Sequence, residues 1–479
     1  MPKYTPYPQQ VEAEKYLQDN LDAGKHWGLL YMHPRLGKSH PMVRHITKNR
    51  LAPVLIICPS IAMYAWADIF EQFGVPKDKI LVFAEGTKKQ RDKKLDNIKK
   101  YPVVLSTYES TKGYDLLMVR KWKAVVADES HRIGRIQSAN TQYFIKSSAG
   151  FTRDAHKFCL TGTPAMEHRL RLIPQYLWAT SKFGAHTSYP DFILNHCEKS
   201  MYGDYRFVQG RKMEKAMDAY VAKTAFSRTR KACGVGATKI YSKVYVGISQ
   251  SKTAKLYRGI LDGSIKNYEK QLKTKVKEME YNPLSKYGHL LSCCSDRHPD
   301  TGYAGITLSN KAYAVSQIVQ NSADDEQFVI FGYYRDEVRS AYGHFSGQAV
   351  HWKTPSDMII GGMKPKDLHA KLEKFSKGET RLMFCQVDAA KEGVDLSSAK
   401  TIIFISNSFK GITRAQAEDR VIHPGQKIEE TVQIIDVVCR RGVDEVVVDL
   451  LRDKIQINDA VLSTKLSEVG EPLATWSPR

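Results

Sequence analysis

The stretch HWGLLYMHPRLGKSHPMVRHI, residues 26–46, contains an apolar run, a short loop ending in Gly37-Lys38-Ser39, and a plausible helix behind it. In a phosphate-binding loop of the form GxxxxGK[ST], amides at a strand-to-helix turn face the phosphates. The lysine neutralises β- and γ-phosphate charge, and the hydroxyl binds magnesium. Two positions depart from that form: Met32 replaces the first glycine, and Arg35 stands where such loops often relax the turn with glycine. A GKS tripeptide alone is weak, because chance tripeptides are common. The second half it needs is AVVADESH, residues 124–131, a hydrophobic strand ending in Asp128-Glu129. There the aspartate can hold the metal through water, and the next carboxylate can orient or deprotonate the attacking water. Together the two stretches point to hydrolytic nucleotide chemistry.

Outward from them, apolar runs at 53–59, 80–84, 102–107, 157–162, 327–332, 381–386, 401–406 and 431–438 alternate with longer amphipathic or charged stretches. Runs unbroken by polar alternation are the pattern of strands buried on both faces of a parallel sheet, with helices between them. They fall into two groups, 1–165 and 325–450, which predicts two α/β domains. The length of 479 residues, too great for one ordinary core, gives the same expectation. Between the groups, Leu256, Ile260, Ile265, Tyr268, Leu272, Val276 and Met279 recur at helical steps among lysines, as in a basic amphipathic helix. Gly259 and Gly263 are the places where that helix would break or bend. ACGVGATK, 232–239, is the expected hinge between the halves.

The net charge of +21 and pI near 9.4 suggest a polyanionic partner, most simply nucleic acid. Any single basic run, such as TKKQRDKKLDNIKK at 87–100, is more simply a solvated helix face. The eight cysteines include no CxxC pair, and Cys293-Cys294 with His298 is the one local cluster. Adjacent cysteines seldom ligate one zinc together, so we expect no metal there and read the cysteines as reduced thiols of an intracellular protein. The opening MPKYTPYPQQ has no apolar signal region, and no stretch reaches the roughly 18 apolar residues of a membrane span. The expectation is a soluble cytoplasmic protein with no membrane partner.

A resemblance then covers nearly the whole chain. Asp128-Glu129-Ser130-His131 looks like the DEAH-type box of superfamily-two helicases, and CLTGTPA (159–165) matches the LTGTP motif of their Swi/Snf-like ATPase branch. VIFGYYRDEV (329–338) resembles the strand that opens a second RecA-like domain. AAKEGVDLSSA (389–399) is similar to AGGxGLNLxxA, and QAEDRVIHPGQ (416–426) to QAxDRxHRxGQ. PQQVEA (8–13) is similar to the PYQLEG element. Within the branch, LTGTPAMEHRLRLIPQY, FILNHC and FSRTRK most resemble the distant annealing-helicase subgroup and compact phage-encoded DNA helicases.

The resemblance implies an α/β fold of two RecA-like parallel-sheet domains forming a helicase motor, with mostly helical insertions between the motif blocks. Domain 1 would be 1–231 with a helical protrusion at about 166–231, the hinge 232–239, and domain 2 240–479 with a basic helical insertion at about 250–310. ATP and Mg2+ would be the cofactors. Lys38 and Ser39, with Gly37, would bind phosphates and magnesium, Asp128 and Glu129 would handle metal and water, and Gln10 would read adenine. Thr161 and Thr163 would link hydrolysis to movement. Gln416 and Arg420 match the motif that faces ATP, and Gly393 and Asp395 the motif before it. The family pattern has a second arginine three residues after the first, where this chain has His423. The finger's role falls on Arg420 alone, on His423 as a weaker, pH-dependent substitute, or on another basic residue. Lys391 and Glu392 also depart from the small or apolar family residues.

By analogy, Pro59-Ser60 and Ser106-Thr107 in domain 1, and Gly361-Gly362 with Gln386 in domain 2, would lie along one DNA strand's backbone. Strand-end capping is the plainer reading of these serines and threonines. Lys88, Lys89, Lys270 and Lys273 would add salt-dependent affinity. The leading expectation is a DNA-dependent ATPase that moves on duplex, forked or four-way DNA and drives branch migration or fork remodelling in replication, recombination or repair. It would act in a bacterial or phage-infected cell, as a monomer by default, with other replication or recombination proteins as partners. Two alternatives stand beside it: an RNA helicase, against which LTGTP and QAEDR argue, and an ATP-binding nucleic-acid clamp with little hydrolysis.

Overall fold

The apolar runs become parallel strands of two sheets in this computed structural model. Residues 5–115, 117, 120–149, 154–165, 168–199, 205–248, 251–261, 283–297, 309–346, 354–363, 365–390, 394–422 and 430–463 are described. The chain divides into one unit of Met1–Gly234 with Lys454–Arg479, and another of Val235–Asp453.

The first unit holds β1 (Trp27–Met32), β2 (Val54–Ile57), β3 (Ile80–Val82), β4 (Val103–Ser106), β5 (Ala124–Asp128), β6 (His156–Thr161) and β9 (Phe226–Arg228). Their order is β3-β4-β2-β5-β6-β1-β9, every pairing parallel. β2, β4 and β5 are buried at every residue, as strands covered by helices on both faces must be. Helices α1 (Pro8–Asp22), α2 (Ser39–Lys48), α3 (Met63–Gln72), α4 (Lys88–Asp96) and α5 (Tyr108–Lys112) occupy connections around the sheet. Part of the stretch expected to protrude, 166–231, packs into the core. Its helix Leu172–Thr180 buries all but its last residue, and Tyr176, Trp178, Phe183 and Phe192 belong to the same cluster as Leu29 and Val125. A small antiparallel pair, β7 (Cys197–Lys199) and β8 (Tyr205–Phe207), lies in this stretch before β9 returns to the sheet.

In the second unit β10 (Thr238–Val246), β11 (Phe328–Gly332), β12 (Ser356–Ile359), β13 (Leu382–Gln386), β14 (Thr401–Phe404) and β15 (Thr431–Cys439) take the order β10-β15-β14-β11-β13-β12, again all parallel. One face packs Val329, Phe331, Met383 and Ile402, and the other Phe328, Ile330, Phe384 and Ile403. β10 begins inside the expected hinge, so only the first part of 232–239 lies outside strand. The helix Ser251–Leu261 runs through Gly259 without a break. Gly263, Lys270 and Lys273 lie outside the described residues. Among the described residues no helix is long and apolar enough to cross a membrane.

Candidate functional site

The chemistry-bearing residues of the first unit come from the carboxyl ends of neighbouring strands. β6 lies between β5 and β1, with Asp128 level with Leu160 and Tyr31 level with Thr161. Strands about 4.8 Å apart put the loop after β1 and the acids after β5 within about 10 Å of each other, with Thr161 between them. The loop leaves β1 at Met32, and α2 starts at Ser39 with Lys38 as its N-cap residue. Gly37 has φ +75°, and a Cβ there would lie 2.2 Å from Gln10 Nε2. Only glycine takes that turn beside that neighbour without strain. Gln10 is buried, donating from Nε2 to the Gly37 carbonyl at 3.1 Å and accepting the Tyr7 amide at 2.9 Å. Its side chain thus braces the phosphate loop. Arg35 does adopt the left-handed turn, at φ +70°. A Cβ on Gly162 would meet Pro34 at 2.5 Å, so the segment after β6 presses on the same loop.

Asp128 is 8% exposed and held on three sides. Oδ2 accepts Trp66 Nε1–H at 2.9 Å, Oδ1 accepts the Glu129 amide at 3.0 Å, and its backbone carbonyl accepts the Tyr108 hydroxyl at 2.7 Å. Burial pushes its carboxyl up to about 6 and the Glu129 charge adds to this, while Lys38, Trp66 and the Glu129 amide pull it back. Glu129 sits at φ +52°, a conformation costly for a residue with a Cβ. His131 Nδ1 lies 3.0 Å from Thr161 Oγ1, 3.1 Å from Thr163 Oγ1 and 3.3 Å from Glu129 Oε2. Thr161 Oγ1 also donates to Glu129 Oε2 at 3.4 Å, and the Thr163 amide to Thr161 Oγ1 at 3.1 Å. Ser130 donates to Gln175 Oε1 at 2.8 Å, and Gln175 Nε2 donates to the Pro164 and Arg171 carbonyls. The acids and the two threonines therefore form one hydrogen-bonded unit.

The oxygen donors Ser39 and Asp128 suit a hard divalent cation beside a nucleotide's phosphates, and the Lys38 ammonium at the head of α2 suits an anionic ligand.

In the second unit, Gln416 is buried on the helix Gly411–Glu418, and Arg420 follows in the 3-10 turn Asp419–Val421. Arg420 Nε donates to the Gln416 carbonyl at 3.2 Å, and the Leu396 amide to the Arg420 carbonyl at 3.0 Å. The segment of Asp395, itself exposed with Oδ1 accepting the Ser397 amide at 3.1 Å, is thereby joined to that of Arg420. Arg414 anchors the helix: buried, it contacts Glu418 at 2.7 Å, Asn407 at 2.8 Å and Asp436 at 2.5 Å, over the ring of Phe404. Gly393 and His423, with Lys391 and Glu392, lie outside the described residues.

The expected DNA contacts separate. Ser60, Lys88, Lys89 and Gly362 are exposed, and Gln386 Oε1 accepts the Gly361 amide at 3.1 Å, which brings that pair together. Ser106 requires a correction. It is fully buried and accepts the Thr111 hydroxyl at 3.0 Å, so it closes a strand end and offers nothing to a polymer. Thr107, 8% exposed, caps α5 by accepting the Ser110 amide at 3.1 Å.

Sequence reasoning missed Trp66, Tyr108 and Gln175 beside the candidate residues of the first unit, and Arg414 beside those of the second. Each acts through another residue, and no local pattern marks such a partner. Tyr108 had one signal, its place directly after the Ser106-Thr107 pair. Of the cysteine cluster, His298 is outside the described residues, while Cys294, Cys439 and Asp444 bring ligand atoms within 4.8 Å. Lys311 already donates to Asp444 at 2.8 Å, and that buried ammonium opposes a cation.

A family model described as SNF2-related domain matches residues 10–298, and one described as Helicase conserved C-terminal domain matches 310–425. Chromodomain-helicase-DNA-binding protein 1-like of Mus musculus is 21% identical over 428 residues, 86% of this chain and 45% of the relative. SWI/SNF-related matrix-associated actin-dependent regulator of chromatin subfamily A-like protein 1 of Xenopus tropicalis is 21% identical over 412 residues, 85% of this chain and 40% of the relative. This chain therefore spans less than half the length of these two relatives. A solved structure, the Sulfolobus solfataricus SWI2/SNF2 ATPase core in complex with dsDNA, is 20% identical with 98% of each chain covered and a TM-score of 0.42. The first family match takes in the phosphate loop, the paired acids and the threonines behind them, and covers more than half of the residues: the chain belongs to the SNF2-related family, with a conserved helicase C-terminal domain after it.

Proposed function

We propose that this protein is a DNA-dependent ATPase that uses ATP hydrolysis to move on duplex DNA. The observation that carries the reading is the hydrogen-bonded unit of Asp128, Glu129, His131, Thr161 and Thr163 beside the Gly37-Lys38-Ser39 loop. Lys38 neutralises phosphate charge, and Glu129 orients the attacking water and takes its proton. A magnesium ion held by Ser39 and Asp128 supplies further neutralisation of the β- and γ-phosphates when bound. Movement of the Glu129 carboxylate as water is consumed is felt by Thr161 and Thr163 through His131, which is a route from hydrolysis to motion. Arg420 is the described candidate for the finger's positive charge that the family resemblance implies. Exposed Ser60, Lys88, Lys89 and Gly362, with half-buried Gly361 and Gln386, supply phosphate-backbone contacts without base reading, as a motor stepping over any sequence requires.

The test is phosphate release with single-stranded, duplex, forked and four-way DNA. Stimulation by duplex is expected, with Lys38→Ala and Glu129→Gln abolishing turnover and the latter sparing ATP binding. Absence of stimulation by every DNA would overturn the reading. The finer proposal is remodelling of forks and four-way junctions, supported by the likeness of LTGTPAMEHRLRLIPQY, FILNHC and FSRTRK to the annealing-helicase subgroup. Preferred turnover and strand exchange on four-way DNA support it, and equal activity on linear duplex removes it. Because two relatives carry chromatin or chromodomain in their names, nucleosomal DNA belongs in the same series.

A further inference from the structure

The carboxylate of Asp128 has little rotational freedom. Its Oδ1 is held by the amide of Glu129 and its Oδ2 by the indole N–H of Trp66, while the hydroxyl of Tyr108 holds the backbone carbonyl of the same residue. Trp66 is 1% exposed and Tyr108 fully buried, so both bonds are shielded from water. A buried indole or phenol needs an acceptor in any case. Here, however, two aromatic donors from different connections converge on one residue, and that residue is the acid proposed to hold the metal. Their bonds fix which lone pairs of Asp128 remain free and where they point. Partners that orient a metal ligand in this way commonly change metal affinity by about 10- to 100-fold when removed.

The placement of the two donors adds a second consequence. Trp66 stands on α3, which continues directly from the 3-10 turn Ser60–Ala62. Tyr108 is the first residue of α5, capped by Thr107. Each donor is thus rooted a few residues from a turn on the carboxyl edge of the sheet, after β2 and after β4. Ser60, in the first of these turns, is exposed.

We propose that Trp66 and Tyr108 are positioning residues for Asp128, and that engagement of DNA at the turn after β2, where Ser60 is exposed, tightens the metal site through Trp66. The second clause rests on the reading of the protein as a DNA-stimulated ATPase. The first stands on hydrogen bonds within one unit. Trp66→Phe and Tyr108→Phe each remove one donor and keep an aromatic ring. Trp122→Phe is the control, since Trp122 is also a buried indole but donates to the Leu117 carbonyl, away from Asp128.

The experiment measures Mn2+ binding to the full chain with ADP by electron paramagnetic resonance, with and without duplex DNA, beside Mg2+ titrations of ATP turnover. For Trp66→Phe and Tyr108→Phe, half-saturating metal should rise about tenfold in both assays, and in Trp66→Phe the tightening produced by DNA should shrink. Trp122→Phe should match the unaltered protein in metal dependence even if its melting temperature falls by as much. Unchanged metal affinity in both variants, or an equal change in Trp122→Phe, would overturn the positioning role. Altered metal affinity in Trp66→Phe with undiminished DNA tightening would overturn the link to DNA. If the unaltered protein shows no DNA stimulation, the proposed function fails instead, while the DNA-free metal measurement still decides the positioning role.

Discussion

The side-chain amide of Gln10 donates to the carbonyl of Gly37 at 3.1 Å, tying the first helix to the tightest turn of the phosphate loop. Because a Cβ on Gly37 would lie 2.2 Å from the same amide, and φ there is +75°, Gly37→Ala meets two penalties together. The backbone term alone is about 1–2 kcal/mol, roughly a tenfold change in an equilibrium. ATP affinity, read with a fluorescent analogue, is therefore expected to fall at least about tenfold. The sheet beneath is untouched, so the melting temperature should move by only a few degrees.

Arg35→Gly tests the other departure in the same loop. Arg35 occupies φ +70°, and relieving that strain is worth about 1 kcal/mol, offset by the greater freedom of glycine in the unfolded chain. Stability should stay within about 1 kcal/mol of the parent. ATP turnover should remain within about twofold. Turnover that collapses while the fold survives would give the arginine a role at the nucleotide.

What was legible in the sequence follows from burial. β2, β4, β5 and β11 are covered on both faces, so their residues read as unbroken apolar runs. β9, β10 and β12 sit at sheet edges, and β10 alternates exposed and half-buried positions as TKIYSKVYV, which resembles a linker more than a core strand. The phosphate loop and Asp128-Glu129 were visible because their chemistry demands local patterns. Trp66 and Tyr108 reach Asp128 from 62 and 20 positions away, a convergence that exists only once the parallel order is built. Ser106 carried two readings because a strand-end hydroxyl looks the same in sequence whether it turns outward or, as here, inward to Thr111.

Arg414 is expected to be the most sensitive residue of the second unit. Its guanidinium serves Asp436 and Glu418, both fully buried, and Glu418 is shared with Lys239 at 2.8 Å and Tyr241 at 2.9 Å. Arg414→Met leaves buried carboxylates short of their main cation, a loss of about 3–5 kcal/mol in comparable pairs. Arg414→Lys should recover only part, because an ammonium cannot reproduce the fork that meets two acids. Denaturant unfolding measures the loss. Since this helix carries Gln416 and leads into Arg420, ATP turnover should fall even at temperatures where the variant is folded.

Acid should destabilise the first unit through buried histidines that stay neutral in the fold. Burial lowers His45 to about 4, with His156 and Lys48 adding to the shift, and burial lowers His196 to about 4, with His186 adding. In the unfolded chain both imidazoles titrate near about 6.5. Below that pH the unfolded state binds protons that the folded state refuses, so the stability owed to neutral burial is complete above about 6.5 and drains away as the pH falls toward about 4. His45 accounts for about 2 kcal/mol by pH 5, partly offset by Asp128, whose raised carboxyl takes up a proton in the fold over the same range. Denaturation midpoints at pH 7.5 and pH 5 should therefore differ, and His45→Gln, which cannot titrate, should shrink the loss seen on acidification. An undiminished difference in His45→Gln would show that this imidazole is already protonated in the fold, or that the acid sensitivity lies elsewhere.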